Sequence, residues 1–237
     1  MPNNNSLTRQ LTETISIELI PANNSSELEG RIWAINWFDH KRKWLYNLYN
    51  KLASKYVVQV GGELHFKGHH QKTLLGKEEH KRQTLLIVTY PQASSFLSML
   101  VIKAFQVVSL LRVKAVANFV FGFTKRVDPY ETTHTPKLVS GNNHLVFHYQ
   151  GDTQSKALIK LAKKLFLGVY FVGERLAQIK RAEKGKPAVL APFFMDGIAI
   201  FESVDIDLLI SFTNSDEFTA LTKENTSNYA AIFTRIK

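Results

Sequence analysis

The closing residues, AAIFTRIK (230–237), echo an internal run, FVFGFTKR (119–126). Each is short and apolar and ends on Phe-Thr and a basic residue: Phe123-Thr124-Lys125, then Phe233-Thr234-Arg235. What leads up to each echo runs in one order, and that repetition restricts the chain more than any other feature. In the first half, RIWAINWF (31–38) sets Trp33, Ile35 and Trp37 against Ile32, Ala34 and Phe38, so a strand here is apolar on both faces apart from Asn36. Asp39 offers an N-cap to a helix reaching about Tyr56, with Leu45, Leu48, Leu52 and Tyr56 along one stripe. VVQVGGELHFKG (57–68) reads as a strand broken at Gly61-Gly62, and TLLIVTY (84–90) as a buried strand stopped by Pro91. One long helix is expected from Ser94 or Ser95 to about Asn118, because Phe96, Leu100, Val101, Val107 and Leu111 belong to a single apolar arc, with Phe105 outside it. FVFGFTKR completes the order βαββαβ.

The second half repeats it. HLVFHYQG (144–151) is a strand, Asp152 a cap, and SKALIKLAKKLFLG (155–168) a helix with Leu158, Leu161, Ala162 and Leu165 inward and lysines outward. VYFVGERLAQIK (169–180) and MDGIAIFES (195–203) are strands, a less regular helix falls within 205–228, and AAIFTRIK ends the order. Landmarks recur at offsets of 113 (Asp39, Asp152), 105 (Phe66, Phe171) and 110 (Phe123, Phe233), a drift that loop lengths absorb. The expected division is an N-terminal arm (1–29) with a short ordered piece at Ile15–Ile20, a first unit (30–126), a linker (127–143) and a second unit (144–237).

Composition closes off several alternatives. The chain has no cysteine, which removes disulfides and cysteine-ligated zinc or iron–sulfur centres and suits the cytoplasm. Its N-terminus has neither the basic start nor the apolar core of a signal peptide. Residues 83–102 carry no charge, but Pro91 divides two periodicities, so strand, turn and helix are expected there in place of a membrane span. The net charge of +10 is concentrated before residue 188, and a basic body favours anionic ligands.

The run RQTLLIVTYPQASSFLSMLVIKAFQVVSLLRVKAV (82–116) resembles the C-terminal half of family 1330 of the domains of unknown function, within the dimeric α/β-barrel superfamily. The resemblance rests on Tyr90-Pro91, Ala93, Phe96, Met99, Phe105-Gln106, Arg112 and Ala115, with Gly61-Gly62 and Gly68 upstream. Gln92 and Phe105 depart from the pattern, and the second half shares only the order of elements. The resemblance implies an α+β fold: two tandem ferredoxin-like units, each with two helices on one face of a four-stranded antiparallel sheet. Their bare faces would meet to form an α/β barrel, an intramolecular pseudo-dimer. The superfamily includes cofactor-independent oxygenases, haem enzymes, isomerases and simple binders, so fold alone does not choose among them.

No phosphate loop, nucleophile elbow or HExxH helix is present. Trp33, Trp37 and Phe66, with Tyr149 and Tyr170, are candidates to line an apolar space with polar tips. His65 and His69 share a strand face, but no fitting carboxylate accompanies them, so neither metal nor cofactor is expected. His148 is a candidate base or hydrogen-bond donor, and Arg112 is either a carboxylate anchor or a structural cation. The function expected is binding of a small hydrophobic or anionic molecule between the sheets, or cofactor-independent oxygenase or isomerase chemistry at the same place. A homodimer is allowed for. Nucleic acid and membrane are not expected partners: FVFGF lacks an RNA-recognition signature, and the apolar stripe of SKALIKLAKKLF is needed by the core.

Overall fold

A computed structural model of the chain describes residues 15–21, 30–127, 143–150, 154–183, 189–190, 196–223 and 227–236. The first unit contains β2 (Ile32–His40), α1 (Lys43–Gln59), β3 (Glu63–Leu75), β4 (Thr84–Tyr90), α2 (Ala93–Leu100), α3 (Lys103–Ala115) and β5 (Val116–Arg126). The second contains β6 (Asn143–Tyr149), α4 (Gln154–Lys164), β7 (Gly168–Glu183), β9 (Gly197–Ser203), α5 (Ile206–Thr213), α6 (Asp216–Thr222) and β10 (Tyr229–Arg235). Two further strands, β1 (Ile15–Pro21) and β8 (Val189–Leu190), pair with the far end of β7.

All pairings are antiparallel. The first unit orders its strands β5-β2-β4-β3, and the second β10-β6-β9-β7. The units join at two seams, β3 with β10 and β5 with β7, closing an eight-stranded barrel. The molecule is therefore α+β, two ferredoxin-like units in tandem forming one α/β barrel. Strand parity builds its layers. Trp33, Ile35 and Trp37 point into the barrel with Phe66, Tyr170, Phe171, Ile200 and Phe233, while Ile32 and Ala34 face the helices. On β6 Val146 points inward, and Leu145, Phe147 and Tyr149 pack beneath α4–α6.

Three local expectations are corrected. Asp39 is not a helix cap: β2 runs on to His40, Arg42 is the N-cap of α1, and the Asp39 carboxylate instead accepts from the Gln83 backbone N–H and from Asn118 Nδ2. The single helix of 94–118 is two helices, α2 and α3, bent by 88°. A 100° wheel assumes one axis, and the bend breaks it. Val101 and Val107, placed on the apolar arc, are exposed, while Phe105, placed outside it, is buried against Tyr56. No single helix among the described residues is long and apolar enough to cross a membrane.

The third correction concerns the echo itself. Trp37 pairs with Val120 in the first unit, and His148 pairs with Tyr229 in the second. Thr124 thus corresponds to Phe233, and the two Phe-Thr motifs are out of register by one residue. A one-residue slip turns a side chain to the opposite face. Accordingly Phe123 lies under the helices beside Phe96, and Phe233 lies inside the barrel beside Trp37. The offset of 105 does correspond to register, because β3 and β7 carry matching irregularities. β1 occupies the part of the arm expected to be ordered. The remaining residues of that arm, Asp152 and most of the linker lie outside the described residues.

Candidate functional site

β3 loses register with β4 between Leu64 and Phe66, and β7 loses it with β9 between Val169 and Phe171. Each shift inserts one extra residue, His65 and Tyr170 respectively, and a bulge of this kind turns two successive side chains toward one face. His65 and Phe66 are both buried in the barrel, as are Tyr170 and Phe171. A glycine follows each bulge, Gly68 on β3 and Gly173 on β7. A Cβ on Gly68 would stand 2.8 Å from the Phe66 ring, and one on Gly173 would stand 2.7 Å from the Phe171 ring. Glycine is what lets each ring fold back over its own strand.

A bulge leaves backbone carbonyls without ladder partners, and here side chains from the opposite unit supply them. Tyr170 Oη donates to the His65 carbonyl at 2.6 Å, and Arg235 Nη2 donates to the same oxygen at 3.3 Å. Arg126 Nη2 donates to the Tyr170 carbonyl at 3.4 Å. Arg126 and Arg235 end equivalent strands, β5 and β10, so each unit sends an arginine to the other's bulge. The Arg235 guanidinium also lies 5.0 Å over the Tyr170 ring.

These side chains form an aromatic box at one end of the barrel. The His65 ring lies 5.3 Å from Tyr170, 5.4 Å from Phe171 and 6.4 Å from Trp33. His144 Nε2 closes another side, 3.6 Å from Glu202 Oε2. Burial, aided by Arg126, Arg235 and Arg31, pulls the His65 pKa down to about 3, so its imidazole is neutral at physiological pH. Burial, partly offset by Arg235, raises the Tyr170 phenol to about 12 and keeps it a donor. Three buried polar atoms in the box have no hydrogen-bond partner among the described residues: Trp33 Nε1, His65 Nε2 and Arg235 Nε. Arg235 is only 3% exposed.

The expected site residues separate. Trp33, Trp37, His65, Phe66 and His148 lie within the barrel, but Trp37 and His148 belong to its other end, their rings 3.9 Å apart. There burial holds His148 well below its usual pKa. Tyr149 faces the helices, because it follows the inward His148 on the same strand. Arg112 lies on α3 in the outer layer, with its guanidinium 4.5 Å over Phe119, far from the box. Arg235 and Arg126 were not picked out from the sequence. The signal that could have found Arg235 is parity: on β10, Tyr229, Ala231, Phe233 and Arg235 share a face, so an inward-facing strand ends in a cation.

The barrel itself is filled by rings; Trp37, Phe66, Phe171 and Phe233 are all fully buried. Two concavities among the described residues lie on the outside. One of about 450 Å³ lies beside Asp39, Arg82 and Asn118, and one of about 250 Å³ lies between His40, Lys43, Lys67 and His69. Neither concavity is lined by a residue of the box, which lies packed at the barrel's end.

The fold is that of a dimeric α/β barrel, with the two halves of the barrel carried on one chain. No family model matches it, and no curated protein does. Among solved structures it is similar to an anthrone oxidase-like protein, with a TM-score of 0.50 and 8% identity over 93% of this chain and 95% of that one. It is also similar to a heme-binding protein from Thermus thermophilus, with a TM-score of 0.45 and 10% identity over 94% of each chain. A protein of unknown function from Rhodopseudomonas palustris has a TM-score of 0.41 and 16% identity, covering 54% of this chain and 97% of its own.

Proposed function

We propose that the chain binds a small molecule with a flat apolar body and an anionic group, held at the barrel end by Trp33, His65, Tyr170 and Arg235. The observation that carries this reading is the set of unpartnered buried atoms, above all Arg235 Nε on a cation 3% exposed within an aromatic box. Leaving such groups unpaired costs about 1–3 kcal/mol each, more for a charged group, and a carboxylate would satisfy them. The aromatic faces supply the apolar contact. Neutral His65 adds one donor or acceptor, and it is also the group that would move a proton in an oxygenase or isomerase reaction, the second reading.

Three narrower statements belong to this proposal. Membership of family 1330 is supported by the run 82–116; the division at 30–126 and 144–237 is supported by the matching strand orders; and a cytoplasmic location is supported by the absence of cysteine.

The test is a panel of aromatic and aliphatic carboxylates followed by thermal unfolding and calorimetry. A ligand at a hundred times its Kd should add about 2.7 kcal/mol of stability. Arg235→Met and Trp33→Phe should each weaken binding by about tenfold or more. Binding by no member of the panel, or binding indifferent to both substitutions, would contradict the proposal. Turnover of a bound ligand that is lost in His65→Gln would select the enzymatic reading.

A further inference from the structure

α1 and α3 lie side by side on the outside of the first unit, and the Lys41 and Arg42 backbone N–H groups both donate to the Ala115 carbonyl at the end of α3. Their outward faces are apolar to an unusual degree. On α1, Trp44 is 67% and Leu48 41% exposed; on α3, Val107 is 63%, Leu110 50% and Val113 57% exposed. Positions 44 and 48, and positions 107, 110 and 113, each follow helical spacing, so each set forms one stripe. Scattered exposed apolar residues need no explanation, whereas paired stripes on adjacent helices do.

The charge around these stripes has one sign. Residues 40–62 and 80–127 contain no Asp or Glu, although they form α1, α2 and α3 and two strands. Lys41, Arg42, Lys43, Lys51, Lys103 and Lys114 are all exposed on or beside the two helices. The second unit is different: α5 and α6 carry Asp207, Asp216 and Glu217, and Lys164 of α4 pairs with Glu217 at 2.6 Å.

We infer that this face docks on an anionic lipid bilayer. Charge selects the occupant. A second copy of the chain would set one acid-free basic face against another, and like charges repel. A nucleic acid would use the cations but not the Leu and Val stripes, and Trp44 alone makes no stacking platform. A bilayer uses everything present: Trp44 at the interface, aliphatic side chains at the acyl boundary, and lysines extended to anionic headgroups. α4 has no such free face, because its apolar stripe is spent in the core, with Leu158 and Ala162 fully buried.

The full chain provides its own probe. Trp33 and Trp37 are buried in the barrel, so a change in tryptophan emission on adding vesicles reports Trp44. Phosphatidylcholine vesicles with and without phosphatidylserine should be compared by co-sedimentation and by emission. Expected are association with the phosphatidylserine vesicles only, a blue shift, and weakening as salt rises. The double variant Trp44→Ser, Leu110→Ser should unfold at an unchanged temperature, since both residues are exposed, yet bind about tenfold more weakly. A second variant, Lys103→Gln with Lys114→Gln, should also weaken binding. No association, equal association with both vesicle types, or association indifferent to both variants would overturn the inference. So would self-association abolished by the first variant without vesicle binding, or capture of single-stranded RNA in its place.

Discussion

Arg235 and His65 sit on neighbouring strands, β10 and β3, of one barrel seam, and each is explicable only through the other. The His65 bulge frees a carbonyl, and Arg235 and Tyr170 converge on it. Tyr170→Phe should therefore cost about 1–3 kcal/mol in urea unfolding, because Arg235, at 3.3 Å, replaces only part of the lost bond. An unchanged midpoint would show that the hydroxyl does not support the bulge. Proton linkage adds a second test. The folded-state pKa of His65 is about 3, below its unfolded value near 6.5, so in that interval the unfolded chain binds more protons. The contribution of His65 is then fully present above about pH 6.5 and is lost as pH falls toward 3, at up to about 1.4 kcal/mol per pH unit. His148 acts in the same direction. His65→Gln should flatten this slope, and an identical slope in the variant would place His65 in contact with solvent.

At the level of elements, sequence pattern served well where one periodicity governs a segment and poorly where geometry changes within it. RIWAINWF declared both its faces, and the structure divides them between barrel and helices as alternation requires. The α2–α3 bend has no Pro or Gly to announce it, and a wheel drawn through it misassigned Phe105 and Val107. The bulges were equally silent, since one extra residue changes no composition. They nevertheless decide the site, because without them Tyr170 and Phe171 could not both face inward. Most of the box was legible, as Trp33, His65 and Tyr170; Arg235 stayed hidden because its role lies in a pairing between strands distant in sequence. The glycines behind the bulges are open to test. Gly173→Ala would bring a methyl within 2.9 Å of the Phe171 ring and of Thr124 Oγ1, at a cost of about 1–3 kcal/mol. Unfolding of the variant at the wild-type denaturant midpoint would show that the ring has room to move.

For the molecule as a whole, the box depends on two seams, β3 with β10 and β5 with β7, closing within one chain. The box draws His65 and Trp33 from one unit and Tyr170 and Arg235 from the other, so it exists only if they close. The chain lacks cysteine, which makes an engineered pair free of background. Lys125 and Glu174 face each other across the β5–β7 seam, and Lys72 and Ile232 do so across the β3–β10 seam. Antiparallel partners lie about 4.5–5.5 Å apart at Cα, within disulfide range. Lys125→Cys with Glu174→Cys, and separately Lys72→Cys with Ile232→Cys, should oxidise to internally bridged monomers of faster mobility in non-reducing gels. Bridged dimers, or thiols that stay free under oxidation, would contradict a barrel closed within a single chain.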